Sequence, residues 1–302
     1  MNTMSMPSSP ANAEKALADL AGVTVKQLQV GDYRINYATA GSGPAVVLVH
    51  GANIGWGQWY PNLPALASHY AVYALDLPGC GASTQTDFRH LEFQRDYVGT
   101  VLAFIKALGL STVCLIGHSF GAAISVEIAL QHAELVSKLV LVSPIGFTSK
   151  IPHKQKMVGV YPLIKLVSRT AMKPTHANIA KFLRSGFAHP EAATPEFINY
   201  YHSATSSSPT SQPLLFMNSL TQGFRMKPDV VVAHKLAQLR QPTLVIVGEL
   251  DQNVPLSDVY RAAAQIPNGR LQKFGHSAHI PSIDQSQKFN SVVLNFLGGA
   301  AA

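Results

Sequence analysis

The sequence predicts an α/β protein: a mostly parallel, eight-stranded sheet with helices on both faces and a helical cap inserted after the sixth strand. Three observations predict it. Short β-rich apolar runs alternate with helical patterns along most of the chain. Several of the runs, AVVLVHG among them, are continuously apolar, as a strand covered on both faces must be. Between Ser143 and Gln241 the alternation stops, over a stretch too long for a loop.

Taken in order, VTVKQLQV and YRINYATA flank Gly31-Asp32 and read as a hairpin that opens the sheet. AVVLVHG follows the turn residues GSGP, and AVYALDL, TVCLIGH, KLVLVSP, PTLVIVG and GRLQKFG repeat its signature. Helical patterning fills Leu91 to Leu108, Phe120 to His132 and Ser286 to Leu297. The domain reading is a loose tail over residues 1–20, a core over 21–143 and 242–302, and a cap over 144–241.

Composition narrows the function class. With 302 residues, 47% of them hydrophobic and 13% charged, the chain can bury a large core. Its two cysteines, Cys80 and Cys114, lack metal-ligand spacing and suggest no disulfide framework, so neither a metal nor a cofactor is expected and a cytoplasmic setting fits. No run approaches the ~20 apolar residues of a membrane span, and no secretory leader pattern opens the chain. The net charge of +7 is local: Pro144 to Pro190 holds Lys150, Lys154, Lys156, Lys165, Arg169, Lys173, Lys181 and Arg184 and no Asp or Glu. Without interleaved stacking aromatics on a known module, this does not read as a nucleic-acid surface. A small-molecule substrate is the expected partner, with weak contact to an anionic surface through the basic cap as an alternative use of the charge.

The segment GHSFG, from Gly117 to Gly121, follows a strand and opens a helix. That context is what a nucleophile elbow requires, with the glycines permitting a sharp turn and Ser119 presented at a helix N-terminus. A serine hydroxyl needs a base, and the base needs an orienting acid. GELDQNVP places Asp251 just past a strand, and FGHSAHIP places His276 just past the last one. The order Ser119, Asp251, His276 is that of a strand-end triad. His279, three residues on, competes with His276; His276 is preferred because it follows the strand and Gly275 directly. His118 is expected to pack or hydrogen-bond away from the site.

From about Tyr33 to Phe296 the chain resembles the α/β-hydrolase superfamily, in the capped branch that includes carboxylesterases, C–C bond hydrolases and cofactor-free haloperoxidases. The matching segments are His50-Gly51, DLPGCGAS from Asp76, GHSFG, GELDQNVP and GHSAHIP. The resemblance implies the α/β-hydrolase fold, a Ser-His-Asp triad, and an oxyanion hole made by the backbone N–H groups of Ala52 and Phe120. It implies an acyl-enzyme at Ser119 and, as the main reading, hydrolysis of a carboxylic ester or related acyl compound. C–C hydrolases of the meta-cleavage type commonly carry Asn before the nucleophile and Trp after the catalytic His, where this chain has His118 and Ser277. They, and a haloperoxidase or perhydrolase activity, stand as alternatives, and a small-molecule receptor on the same fold stands as the non-enzyme one. Trp56, Trp59, Met157, Tyr161, Phe187, Phe216 and Met217 are candidates for an enclosed apolar substrate pocket.

Overall fold

The computed structural model describes residues 9–152, 156, 160–169, 174–206 and 213–299. All eight expected strands form and join one sheet: β1 (Thr24–Val30), β2 (Tyr33–Ala40), β3 (Ala45–Val49), β4 (Ala71–Leu75), β5 (Val113–His118), β6 (Val136–Val142), β9 (Thr243–Gly248) and β10 (Gly269–Phe274), in the order β1-β2-β4-β3-β5-β6-β9-β10. The short strands β7 (Thr221–Gln222) and β8 (Arg225–Met226) form a separate hairpin in the cap. β2 runs antiparallel to both β1 and β4, and every other pairing in the large sheet is parallel. The hairpin is possible because Gly31 supplies a positive φ of 54° at the turn.

The continuously apolar strands β3, β5 and β9 are buried along their whole length. Two hydrophobic clusters cover the two faces of the sheet: Phe104, Phe120, Ile124 and Ile128 belong to one, and Leu17, Trp56, Trp59, Phe197 and Phe289 to the other. The covering helices of the core are α1 (Pro10–Ala21), α2 (Leu63–Ala67), α3 (Gly99–Ala107), α4 (Phe120–Gln131), α9 (Leu256–Ala263), α10 (Pro281–Asp284) and α11 (Ser286–Gly298). The parallel strands end at one edge of the sheet, so the turns after β5, β9 and β10 lie together there, as in other open α/β sheets.

The cap leaves the sheet after β6 and returns at β9. It contains α5 (Tyr161–Arg169), α6 (His176–Gly186), α7 (Pro195–Ser206) and α8 (Pro213–Ser219). Two aromatic footings seat it. On α7, Phe197 stacks over Tyr60 at 5.6 Å and Tyr200 meets Trp56 edge-on at 5.3 Å. On α8, Phe216 meets Phe88 at 5.0 Å and Phe120 at 5.2 Å, again edge-on.

The expected loose tail over residues 1–20 is corrected by α1. Ser9 caps the helix by accepting the Asn12 N–H, Pro10 stands at its start, and Gly22 closes it at a φ of 62°. Ala13, Leu17, Ala18 and Ala21, at helical spacing, are buried, and the helix packs on α7. Glu14 accepts hydrogen bonds from Trp56 Nε1 and Asn36 Nδ2, each at 2.8 Å. The N-terminal helix thus fastens core and cap together. Residues 1–8 lie outside the described ones.

Candidate active site

Ser119 stands between β5 and α4 with φ 52° and ψ −109°, a left-handed conformation that non-glycine residues avoid. The flanking glycines make the turn possible by close approach. A Cβ on Gly117 would collide with Gly121, and a Cβ on Gly121 with the carbonyl oxygens of Val49 and His50. Helix α4 therefore starts directly against the end of β3, and the serine is lifted out of the sheet edge with its backbone N–H still held by Val142 O at 2.8 Å.

The segment after β3 lies against the same serine. A Cβ on Gly51 would come within 3.2 Å of Ser119 Cβ, so backbone alone fits there. His50 holds the segment in place: its Nδ1–H donates to Gly51 O at 2.6 Å, and its Nε2 accepts the Leu77 N–H at 2.9 Å. Burial lowers the His50 pKa to about 4, which keeps the ring neutral as that bonding pattern requires. Ala52 follows Gly51 directly, and Phe120 is the first residue of α4, where a backbone N–H has no acceptor within the helix.

The histidine at the serine differs from the expectation. His279, and not His276, reaches the serine and the acid: its Nδ1–H donates to Asp251 Oδ2 at 2.8 Å, and its Nε2 accepts the Ser119 hydroxyl at 3.1 Å. Asp251 is fixed in turn, with its Oδ1 accepting the Asn253 N–H at 2.7 Å. The reason lies in the path after β10. The chain turns at Gly275-His276, where His276 takes a φ of 57° and stays exposed. Ser277 and Ala278 then run across the end of β9, where Leu250 N–H donates to Ser277 O at 2.9 Å and a Cβ on Gly248 would collide with both carbonyls. Only after those two residues is the chain level with Asp251, at His279. Direct succession to the strand, which favours His276 in the sequence, points that side chain into solvent instead.

His118 does form a hydrogen bond, but toward the base rather than away from it. Its Nε2–H donates to His279 O at 2.8 Å, and the two rings lie 4.8 Å apart. Burial, and then the neighbouring His279, hold its pKa well below the ordinary histidine range. The neutral ring adds no competing charge beside His279.

The candidate pocket residues separate. Trp56 and Trp59 are fully buried packing residues of the cluster on the other face from Phe120, with the Trp56 indole tied to Glu14 and Trp59 lying 6.4 Å from Phe289. Phe187 belongs to that same cluster and packs on Phe197 at 6.4 Å. Tyr161 lies under Arg89, whose guanidinium is 4.8 Å from the ring centre. Phe216 is a fully buried packing residue whose ring meets Phe120 edge-on at 5.2 Å, and Met217 packs on the same cluster. Met157 lies outside the described residues. His279, which the sequence offers second to His276, has one legible sign in its favour, the sequence His279-Ile280-Pro281, which sets it just ahead of a proline that starts α10.

No group of three or more His, Cys, Asp or Glu among the described residues is arranged to hold a metal ion, and no described helix is long and apolar enough to cross a membrane. Cys80 and Cys114 are buried, free thiols.

Comparison with known proteins gives the family. A family model for the alpha/beta hydrolase fold matches residues 44–286. A 2-hydroxy-6-oxononadienedioate/2-hydroxy-6-oxononatrienedioate hydrolase from Burkholderia vietnamiensis is 30% identical over 277 residues, covering 88% of this chain and 91% of its own. A 2-hydroxy-6-oxo-6-phenylhexa-2,4-dienoate hydrolase from Burkholderia cepacia is 26% identical over 281 residues, covering 91% and 95%. Among solved structures, a meta-cleavage product hydrolase from Pseudomonas fluorescens IP01 superposes with a TM-score of 0.75 at 23% identity, covering 91% of this chain and 98% of that one. The family model spans most of the chain and the relatives match nearly all of it, so this chain is a hydrolase of the alpha/beta hydrolase family.

Proposed function

We propose that the chain hydrolyses an acyl bond of a small anionic organic acid through a Ser119–His279–Asp251 triad, and that carbon–carbon cleavage of a 2-hydroxy-6-oxodienoate is the substrate reading best supported. The observation that carries the triad is His279 standing within hydrogen-bond reach of both Ser119 and Asp251. Two independent lines support the substrate reading. The relatives over nine-tenths of the chain are named as dienoate or dienedioate hydrolases, and such substrates are carboxylates. The cap stretch from Pro144 to Pro190 carries eight basic residues and no acidic one, a field that concentrates anions.

The chemistry follows from the geometry. His279 Nε2 takes the Ser119 hydroxyl proton as Oγ attacks the substrate carbonyl, and Asp251 stabilises the imidazolium that forms. The backbone N–H groups of Ala52 and Phe120 receive the developing oxyanion, each worth ~3 kcal/mol of barrier. As the tetrahedral intermediate collapses, the bond to the leaving group breaks and the leaving atom takes the proton from His279; a carbon leaving group needs that proton more than an alkoxide does. Water, deprotonated by His279, then attacks the acyl-Ser119 carbonyl and regenerates the serine.

Ester hydrolysis is the second reading. His118 stands before the nucleophile and Ile280 after His279, in the two places where C–C hydrolases commonly carry Asn and Trp. Side-by-side turnover of a 2-hydroxy-6-oxohexa-2,4-dienoate, followed by loss of its visible absorbance, and of a p-nitrophenyl ester separates the readings. A dienoate kcat/KM above that for the ester is the expected result; ester turnover alone would replace the first reading by the second.

A further inference from the structure

The loop that delivers His279 is gripped by a side chain that also grips the cap. Asp284, the last residue of α10, is buried and accepts four hydrogen bonds. Its Oδ2 takes the Ser277 hydroxyl at 3.1 Å and the Ala278 N–H at 2.7 Å, the two residues immediately before His279. Its Oδ1 takes the N–H groups of Ala188 at 3.0 Å and His189 at 3.4 Å, where the chain leaves cap helix α6. The other holds on this loop come from the core: Leu250 N–H on Ser277 O, His118 on His279 O, and the Gln285 amide on Gly275 O.

We propose that Asp284 is a positioning residue that couples the seating of the cap to the alignment of His279. The inference rests on the triad reading above. A carboxylate oxygen that accepts two N–H groups from one segment and a second oxygen that accepts two donors from another joins the segments through a rigid planar group. When α6 shifts, Oδ1 must follow or lose two buried bonds, and Oδ2 carries Ser277 and Ala278 with it. Displacement of a catalytic group by ~1 Å is enough to cost ~100-fold in rate. A cap seated over a substrate therefore aligns the base, and a displaced cap leaves it misaligned.

The test uses the full chain and a small fluorophosphonate, whose reaction with Ser119 reports alignment of the triad without an acyl group filling the cap. Asp284→Asn keeps the shape of the side chain but turns an amide NH2 toward donors on one side. It should slow phosphonylation about tenfold, in the range of couplings through a shared network, with a melting transition still well above the assay temperature. Phe197→Ala removes the stack of the cap on Tyr60 and should also slow phosphonylation in the native background, but not further in the Asp284→Asn background. Ala188→Pro, which deletes one cap donor, should repeat that non-additivity if Phe197→Ala fails to fold. Rates that multiply in the double variants, or Asp284→Asn reacting as fast as the native chain, would overturn the coupling and leave the triad standing. No reaction of the native chain at Ser119 would remove the triad reading and this inference with it.

Discussion

The two turns that bring serine and histidine together are built on opposite terms. The elbow at Ser119 is tight: five consecutive residues carry the strand end, the strained serine and the helix start, and each glycine faces backbone that leaves no room for a Cβ. The turn after β10 is loose. A Cβ on Gly275 would meet only Glu249 Oε2, at an ordinary 3.4 Å, and the position of His279 is set by partners from β5, β9 and α10. A site is legible in sequence where its geometry is local, and it is hidden where partners remote in the chain decide which residue arrives.

The largest expected effect breaks the comparison at its weakest reading. His279→Ala should lower kcat by ~10⁶, as losing a triad base does, while His276→Ala stays within about twofold of the native chain. Steady-state turnover of the same substrate by both variants decides it, and equal losses would mean that the exposed His276 swings inward during the reaction.

Stability sharpens the same contrast. Gly121→Ala forces a methyl onto the carbonyls of Val49 and His50, in a part of the core that cannot yield, and should cost ~3 kcal/mol or prevent folding. Gly275→Ala should fall within ~1 kcal/mol of the native chain, because its new methyl makes ordinary contact. Denaturant unfolding of both variants measures the difference. A Gly275→Ala loss as large as that of Gly121→Ala would show the second turn to be as tight as the first.

What could be read from the sequence follows that division. The eight strands and the helix after Ser119 were legible because periodicity and turn residues are short-range signals. Asp251 was legible because it follows β9 within three residues. The choice of His279 over His276 was not, since adjacency to β10 is a one-dimensional criterion and the loop crosses β9 before it reaches the acid. The misreading of α1 is of another kind. Ser9-Pro10 and Gly22 bracket buried Ala13, Leu17, Ala18 and Ala21, so the helix signals were present. Three of its four buried residues are alanines, so the apolar face carries a weak periodic signal. Trp56 and Trp59 sit near His50 in sequence yet pack on the other side of the sheet, because an aromatic residue carries no mark of which face it will fill.

The docking of α1 supplies the next prediction. Asp76 accepts the Trp56 and Ala82 N–H groups and the Asn36 amide, and burial, reinforced by the Glu14 charge, raises its pKa to about 7. The ordinary value of 3.8 applies once the chain unfolds. Between those values the folded state holds a proton that the unfolded state releases. The contribution of this group to stability is therefore greatest at low pH, declines as pH rises toward 7, and is level above it. Glu14→Gln keeps the acceptor for Trp56 and Asn36 but removes the charge, so Asp76 is raised less. The variant should be ~1 kcal/mol more stable than the native chain at pH 8, with the gain shrinking toward pH 4. Unfolding free energies across that range test it, and a uniform loss at every pH would reduce Glu14 to a hydrogen-bond acceptor.

The smallest effect concerns the basic cap. An exposed helical face ordinarily mixes signs, and long basic stems often do no more than cover apolar surface. Here Lys181 and Arg184 of α6 are exposed and line, with His176, an open groove against α7, while Lys165 on α5 lies beside Tyr161. Lys154 lies outside the described residues. If this one-sign region draws anionic substrates to the site, the attraction is screened over ~10 Å at 0.1 M salt and must appear as a salt dependence. For an anionic substrate, kcat/KM should fall about threefold between low salt and 0.5 M, whereas a neutral ester of similar size should change little. Replacing Lys156, Lys165, Lys181 and Arg184 together by Gln should remove the difference while leaving kcat at saturation unchanged, since steering acts on encounter and not on the bound complex. Equal salt responses of the two substrates in the native chain would leave these residues as a solvated surface. The contrast between a tight elbow and a loose histidine loop would then stand without any contribution from long-range charge.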